Sequence, residues 1–313
     1  LIKSAVLMAT YNGSENIEIQ LDSIRRQTLQ PTFVLIRDDG SFDNTVDIVK
    51  KYIEKYQLIG WTIKKNEKNL GWRLNFRQLM LDVSSYDVDY VFISDQDDEW
   101  FLNKNEIQTD IMEKNENIDV LSSDIEVKSI SNEAFMPNVF KFSDSDKNKL
   151  SKYPYSLNYV SYRPGLVMCI RKPFLDLVAR NYKQNIGTTH DNLFSGLSGI
   201  IGNGYNFNVP VVLHVRHDNN ASGNLLNIKS SNSEHISVLN NMYIYYDVIF
   251  NVLNELNHPD TQKISKFVSF YKERIKNAED RNIVKTVIQM IFNFKLYNGV
   301  GNYFKDIIFI FKK

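Results

Sequence analysis

The chain has 313 residues, enough for one large domain or two smaller ones, and 43% of them are apolar, as in ordinary folded proteins. Lys plus Arg and Asp plus Glu stand at 37 each, so no global charge draws the chain to nucleic acid. One cysteine, Cys169, excludes an internal disulfide framework and a cysteine-built zinc cage, and fits a reducing compartment.

Strand signals come first, as short β-branched and apolar runs at Ser4–Ala9, Thr32–Arg37, Trp61–Lys64, Tyr90–Ser94 and Val120–Ile125. Between them, Ile17, Leu21 and Ile24, then Val46, Val49 and Ile53, then Phe76, Leu79 and Met80 recur at helical spacing. Strands alternating with helices predict βαβ units and a mostly parallel, twisted sheet flanked by helices. Residues 127–160 are polar and aperiodic and read as an excursion from the sheet. The core resumes at Leu166–Ile170, a helix is expected near Pro173, and Phe207–Val215 is a further strand. Helical patterns then occupy 234–256, 262–279 and 282–296, with an aromatic segment at Tyr303–Phe311. The expected division is a transferase-type α/β domain over 1–228 and an α-helical C-terminal region over 229–313. Neither a leader peptide nor a run of about 20 apolar residues is legible, so a cytoplasmic chain is expected.

Four predicted strand ends carry polar residues. Thr10-Tyr11-Asn12-Gly13 follows the first, Asp38-Asp39-Gly40-Ser41 the second, Asn69-Leu70-Gly71-Trp72-Arg73 the third and Ser94-Asp95-Gln96-Asp97-Asp98-Glu99-Trp100 the fourth. In a parallel sheet these loops share one edge, where open α/β sheets bind ligands. Asp95, Asp97 and Asp98 would repel one another strongly without a cation among them, and hard Mg²⁺ or Mn²⁺ suits carboxylate oxygens shared with substrate phosphates. Trp100 stands where an EF-hand loop needs glycine. A carboxylate at Asp38 or Asp39 can accept from a base imide or ribose hydroxyl, Tyr11 can lie along a base, and Arg73 can neutralise a diphosphate. Read singly, each piece is also a turn or a solvated charge, and the acidic run is also a helix-capping turn. No glycine-rich phosphate cradle is present in these loops.

Together, Ala9-Thr10-Tyr11-Asn12-Gly13, Asp38-Asp39-Gly40-Ser41, Asn69-Leu70-Gly71 and Ser94-Asp95-Gln96-Asp97-Asp98-Glu99-Trp100 resemble glycosyltransferase family 2, with its GT-A fold. The Ser-Asp-Gln-Asp-Asp form is similar to the rhamnosyltransferase-like branch that builds bacterial surface polysaccharides, and the resemblance spans residues 3–223. It implies inverting transfer of a sugar from a UDP- or dTDP-sugar to a saccharide or lipid-linked hydroxyl, with Mn²⁺ or Mg²⁺ on the diphosphate. It further implies a donor pocket of Thr10, Tyr11, Asp38, Asp39, Asn69, Arg73 and Asp95, and a metal cluster of Asp95, Asp97 and Asp98. Pro164-Gly165-Leu166-Val167-Met168 matches the family's acceptor-side segment. Thr189-His190-Asp191-Asn192 then places the catalytic base at Asp191, which by itself also reads as an N-cap ahead of Leu193–Leu197. His214-Val215-Arg216-His217 resembles the late segment whose histidine reaches metal or diphosphate, which implies that role for His217. Here Arg216 sits one position later than the family's arginine, on the other side of an extended strand.

From Gln262 to Lys313 the chain holds eleven Lys and Arg against four Asp and Glu, among many aromatics. Basic aromatic helices can lie on an anionic membrane surface, and equally the aromatics can pack on the catalytic domain or in a homodimer. Two other readings of the whole chain stay open: a non-catalytic sugar- or partner-binding homologue, and a sugar nucleotidyltransferase, which would need a basic glycine-rich loop that Thr10–Glu15 does not supply.

Overall fold

The computed structural model describes residues 2–129, 140–142, 148–183, 187–216, 230–297 and 299–312. The chain divides into two compact units. One comprises Leu1–Ser156, Val160–Arg180 and His190–Asn220; the other comprises Leu157–Tyr159, Asn181–Thr189 and Ala221–Lys313.

The first unit opens with β1 (Ser4–Thr10), α1 (Ile17–Arg25), β2 (Phe33–Asp38), α2 (Thr45–Lys55), β3 (Trp61–Lys65), α3 (Trp72–Asp82) and β4 (Tyr90–Ser94). Each strand lies within a residue of its predicted place, and each helix contains the spaced apolar residues predicted for it. Ala5, Val6, Leu7 and Met8 are all fully buried, because both faces of a parallel sheet are covered and the strand must be apolar on each side. Ile17, Leu21 and Ile24 are buried at their predicted helical spacing on α1.

Strand order runs β3-β2-β1-β4, all parallel. The chain winds outward on one side of β1 and then jumps to β4 on the other. The crevice beyond the carboxyl ends of β1 and β4 is therefore a topological switch point, the ordinary ligand site of such sheets.

Beyond β4 the sheet becomes mixed. The chain continues through β5 (Glu99–Trp100), α4 (Lys104–Lys114), β6 (Val120–Ser129), β7 (Leu150–Lys152), β8 (Met168–Arg171), α5 (Lys172–Asn181), α6 (His190–Ile201) and β9 (Gly204–Arg216). β8 inserts antiparallel between β4 and β6, β6 pairs parallel with the long β9, and β9 returns to pair antiparallel with β5 and β7. The two-residue β5 and three-residue β7 have no legible periodicity; pairing with β9 alone makes them strands.

One buried cation stands out in this core. Lys104 is fully buried, with its ammonium 3.7 Å from the Trp100 ring centroid and 4.5 Å from that of Phe92. Its Nζ makes no hydrogen bond, and burial pulls its pKa down to about 7.

The second unit contains α7 (Asn232–Glu255), α8 (Thr261–Glu279), α9 (Ile283–Phe292) and α10 (Val300–Ile310). Ser231 and Glu234 form a capping box that starts α7. Tyr246 of α7 stacks between Phe267 and Tyr271 of α8, with centroids 4.7 and 5.2 Å away. These aromatics, with Phe270 and Phe309, are buried, so that part of the tail's aromatic content is core.

Beside them Arg274 forks onto Asp306 at 2.8 and 2.7 Å, while His235 Nε2 donates to Asp306 at 3.0 Å and Tyr297 donates at 2.5 Å. Despite burial, these donors hold the Asp306 carboxyl down at about 2.

Two stability tests follow. Asp306→Asn leaves the Arg274 charge buried without its counter-ion, and urea unfolding should show a loss of about 3–5 kcal/mol in the helical unit's transition. For Lys104, the folded pKa lies below the unfolded value of 10.5, so the unfolded chain holds the extra proton between them and stability rises with pH over that window. Lys104→Met should therefore raise Tm most near pH 7, and its advantage should shrink in scans taken near pH 10.

Candidate active site

The loops after β1 and β2 fasten to each other through side chains. Asn12 N–H donates to Ser41 Oγ at 2.8 Å, Gly13 N–H to Thr45 Oγ1 at 2.8 Å and Ser14 N–H to Asp43 Oδ2 at 3.1 Å. In return Phe42 N–H donates to Asn12 Oδ1 at 2.9 Å. Asn12 holds a left-handed φ of 48°, a conformation that Asn tolerates. Above this seam Tyr11 and Phe42 are both exposed, with ring centroids 6.5 Å apart, an aromatic platform of the kind on which a base can lie.

Asp38 and Asp39 have different tasks. Asp38 is fully buried, and its oxygens accept from Thr10 Oγ1 at 3.1 Å, Ser41 Oγ at 2.5 Å and the amides of Gly40 and Ser41 at 3.1 and 2.9 Å. That geometry ties Asp38 and Thr10 to the shape of the loop and leaves Asp38 no surface for direct contact with a nucleotide. Asp39 reaches the third loop: Oδ1 accepts from Asn66 Nδ2 and Leu70 N–H, and Oδ2 from Gly71 N–H, each at 2.8 Å. Asn69 closes the same turn, donating to the Asp39 carbonyl at 3.0 Å and accepting from Gly71 N–H at 3.0 Å. Gly71, with φ of 78°, gives α3 its abrupt start, which a residue with a side chain would strain. Arg73 follows in the first turn of α3, its guanidinium 4.5 Å from the Trp72 ring and its Nε buried without a hydrogen bond.

The fourth loop carries the acidic run. Gln96 binds both backbone groups of Tyr11, accepting from N–H at 2.8 Å and donating to the carbonyl at 3.0 Å, so β4's loop is stitched to β1's across the switch point. Gly13 lies so close to the Gln96 amide that a Cβ would sit 2.3 Å from its Oε1. Asp98 is buried; its Oδ1 accepts from His214 Nδ1 at 2.6 Å and Val215 N–H at 3.3 Å, while Oδ2 has no hydrogen-bond partner. The pairing of β5 with β9 brings His214 there.

Asp95 and Asp97 are half-buried beside it. Burial first, and then the charges of Asp98, Asp97 and Asp191, push the Asp95 carboxyl well above the usual carboxylate range. Burial raises Asp98 too, against the pull of His214. Among the described residues no three His, Cys, Asp or Glu side chains close a metal cage by themselves. The donor set is nonetheless hard oxygen with an orphaned buried atom, Asp98 Oδ2, and it fits a Mg²⁺ or Mn²⁺ that takes further oxygens from a diphosphate.

Asp191 arrives from the first turn of α6, nearly a hundred residues later in the chain, yet its charge bears on Asp95. Its Oδ1 is buried and has no hydrogen-bond partner. The neighbouring His190 is wedged against Phe76, ring centroids 4.1 Å apart, and over Gly165, where a Cβ would come 2.3 Å from Nε2. Burial lowers the His190 pKa, which keeps the ring neutral against Asp191's pull. The matched Pro164–Gly165 turn thus acts through His190, fixing where α6 begins and where Asp191 stands.

The structure brings Thr10, Tyr11, Asp38, Asp39, Asn69, Arg73, Asp95, Asp97, Asp98 and Asp191 to one edge of the first unit. His217 lies outside the described residues, and of Arg216 only the backbone is described. Sequence reasoning overlooked Gln96, His214 and the buried hub Asn66–Asn75–Arg37, in which Arg37 donates to Asn66 at 2.6 Å and Asn66 to Asn75 at 2.9 Å. Gln96 stood inside the quoted acidic motif, where a polar side chain capable of both donating and accepting was the available signal.

The family model for glycosyl transferase family 2 matches residues 5–175. A dTDP-rhamnosyl transferase of Shigella flexneri is 28% identical over 300 residues, covering 91% of this chain and all of that one. An uncharacterized glycosyltransferase of Methanocaldococcus jannaschii is 32% identical over 149 residues, 46% of this chain and 49% of its own. Among solved structures, S. aureus TarS 1–349 with UDP superposes with a TM-score of 0.59 at 16% identity, over 98% of this chain and 81% of that one. GalNAc-T7 with UDP, GalNAc and Mn²⁺ superposes at 0.56 and 14% identity, over 87% of this chain and 55% of that one. The fold is thus shared with GT-A enzymes, and the family model covers more than half of the sequence: the chain belongs to glycosyl transferase family 2, and it is a glycosyltransferase.

Proposed function

We propose that this enzyme transfers a deoxyhexose or hexose, with inversion, from a dTDP- or UDP-sugar to a saccharide hydroxyl in cell-surface polysaccharide synthesis. We take its transferase domain as residues 1–228, of which the first compact unit supplies Leu1–Ser156, Val160–Arg180 and His190–Asn220. The observation that carries the reading is the convergence of Asp95, Asp97, Asp98 and Asp191 at the switch point, where burial first and then the charges of the other three push the Asp95 carboxyl toward its neutral form. Carboxylates crowded in that way suit a site completed by a divalent cation and its diphosphate. dTDP-rhamnose is the first donor to test, because the relative that aligns along nearly all of this chain is a dTDP-rhamnosyl transferase.

In the proposed mechanism the base lies on the exposed Tyr11–Phe42 platform, with the Asn69 turn that Asp39 holds around its edge. Asp95 and Asp97 would hold the cation, with Asp98 anchored by His214 beside them, and Arg73 would neutralise the diphosphate; His217, to which the family resemblance gives a part in the same task, lies outside the described residues. The cation would supply charge stabilisation for the departing nucleoside diphosphate. Asp191 takes the proton from the acceptor hydroxyl as that oxygen attacks the anomeric carbon from the face opposite the leaving group.

Nucleotide release from dTDP-, UDP- and GDP-sugars, with Mn²⁺, Mg²⁺ or EDTA, needs no knowledge of the acceptor. One donor should be turned over in a metal-dependent way, Asp97→Ala should abolish it, and Asp191→Asn should slow it about 10²–10⁴-fold with donor binding intact. Silence across the panel, with no nucleotide bound, would favour the non-catalytic reading.

Electrostatics supplies a second test. Because Asp95's folded pKa lies above its ordinary 3.8, the folded state holds a proton that the unfolded chain has lost, and stability falls as pH rises through that window. Asp95→Asn should therefore raise the Tm of metal-free protein by a few degrees at pH 7 and by little near pH 3. Mn²⁺ should raise the parent's Tm more than the variant's.

A further inference from the structure

Helix α9 is built inside out. Thr286, Gln289 and Met290 face inward, where Gln289 accepts from Asn277 at 3.1 Å and donates to the Tyr297 hydroxyl at 2.5 Å. Ile283, Val284, Val287, Ile288, Ile291 and Phe292 face out, with Val284 68% and Phe292 82% exposed. Soluble surface helices show the opposite arrangement. On α10, which packs against α9, Phe304 and Ile308 are exposed as well, and Phe311 just past its end is 67% exposed. Water-facing apolar side chains crowded onto two adjoining helices form a patch that needs an occupant.

Charge decides which occupant. From residue 281 to 312 the cations are Arg281, Lys285, Lys295, Lys305 and Lys312, and the sole carboxylate, Asp306, is buried against Arg274. A second copy laid on this face would bring lysine against lysine around an apolar centre, which opposes association. A bilayer with anionic headgroups meets both features at once: the apolar side chains enter the acyl boundary while the lysines stay among the phosphates. No described helix is long and apolar enough to cross a membrane. At ten residues, about 15 Å, α9 has the length to lie along the surface.

We infer that the α9–α10 face docks the protein on an anionic lipid bilayer. Phe267, Phe270 and Tyr271 of α8 do not take part, since they are core. Docking stands independently of the transfer reaction.

The test is co-sedimentation of the full chain with phosphatidylglycerol-containing vesicles and with pure phosphatidylcholine vesicles, at low and high salt, alongside light scattering of the protein alone. Binding should require the anionic lipid and weaken with salt. Ile288→Glu combined with Ile291→Glu should lower the bound fraction at least about tenfold without lowering Tm, because both side chains are exposed. Lys285→Glu combined with Lys295→Glu should weaken binding to anionic vesicles only. Protein that stays in the supernatant with both lipids overturns the inference. If it is then a dimer that the double isoleucine variant disperses, a second copy covers the face. Unchanged vesicle binding by that variant also overturns it.

Discussion

Parallel strands deliver all their carboxyl ends to one edge, and every loop leaving that edge exposes backbone N–H groups that no ladder satisfies. The site depends on how those groups are answered. Asp38 takes the amides of its own turn, Asp39 those of the third loop, and Gln96 both backbone groups of Tyr11. Three side chains thus lock four loops that share no regular structure, and the exposed platform and the carboxylates inherit their positions from that lock. Arg37, Asn66 and Asn75 extend it downward, so the third loop rests on a buried polar network rather than on apolar packing.

Holding carboxylates together on so rigid a frame is unfavourable by itself. Asp95 feels burial and three like charges, while His214 and the Val215 amide give Asp98 fixed partners nearby. Such stored repulsion is common where a protein must receive a cationic or polyanion-bridging group, since stability is given up at the site and regained in the core. The same unit carries Lys104 among aromatic rings, a second buried charge whose compensation is a π face rather than a carboxylate.

The helical unit distributes polarity differently. Its interior holds the Arg274–Asp306–His235–Tyr297 cluster, and its exterior on α9 is aliphatic. Buried networks fix one packing arrangement because every donor needs its acceptor. An apolar exterior then serves only where water is excluded by something else.

Sequence alone determined a good deal. Short apolar runs and 3.6-residue spacing placed β1–β4, the first part of β6, β9 and the helices α7–α9, because burial on one or two faces imposes those patterns directly on residue choice. The end of β6 fell in the stretch read as an excursion. The motif series at successive strand ends named the family, since those loops must carry their functional residue types wherever they fold. Tertiary structure alone decided the rest. β5, β7 and the antiparallel insertion of β8 exist through pairing with distant strands, which leaves no local signature. Asp38 proved to be a loop anchor because its depth, invisible in sequence, determines whether a carboxylate meets ligand or backbone. Which tail aromatics are core and which face water likewise depends on neighbours: Phe270 and Phe292 are the same residue type in the same basic tail, and packing alone separates them.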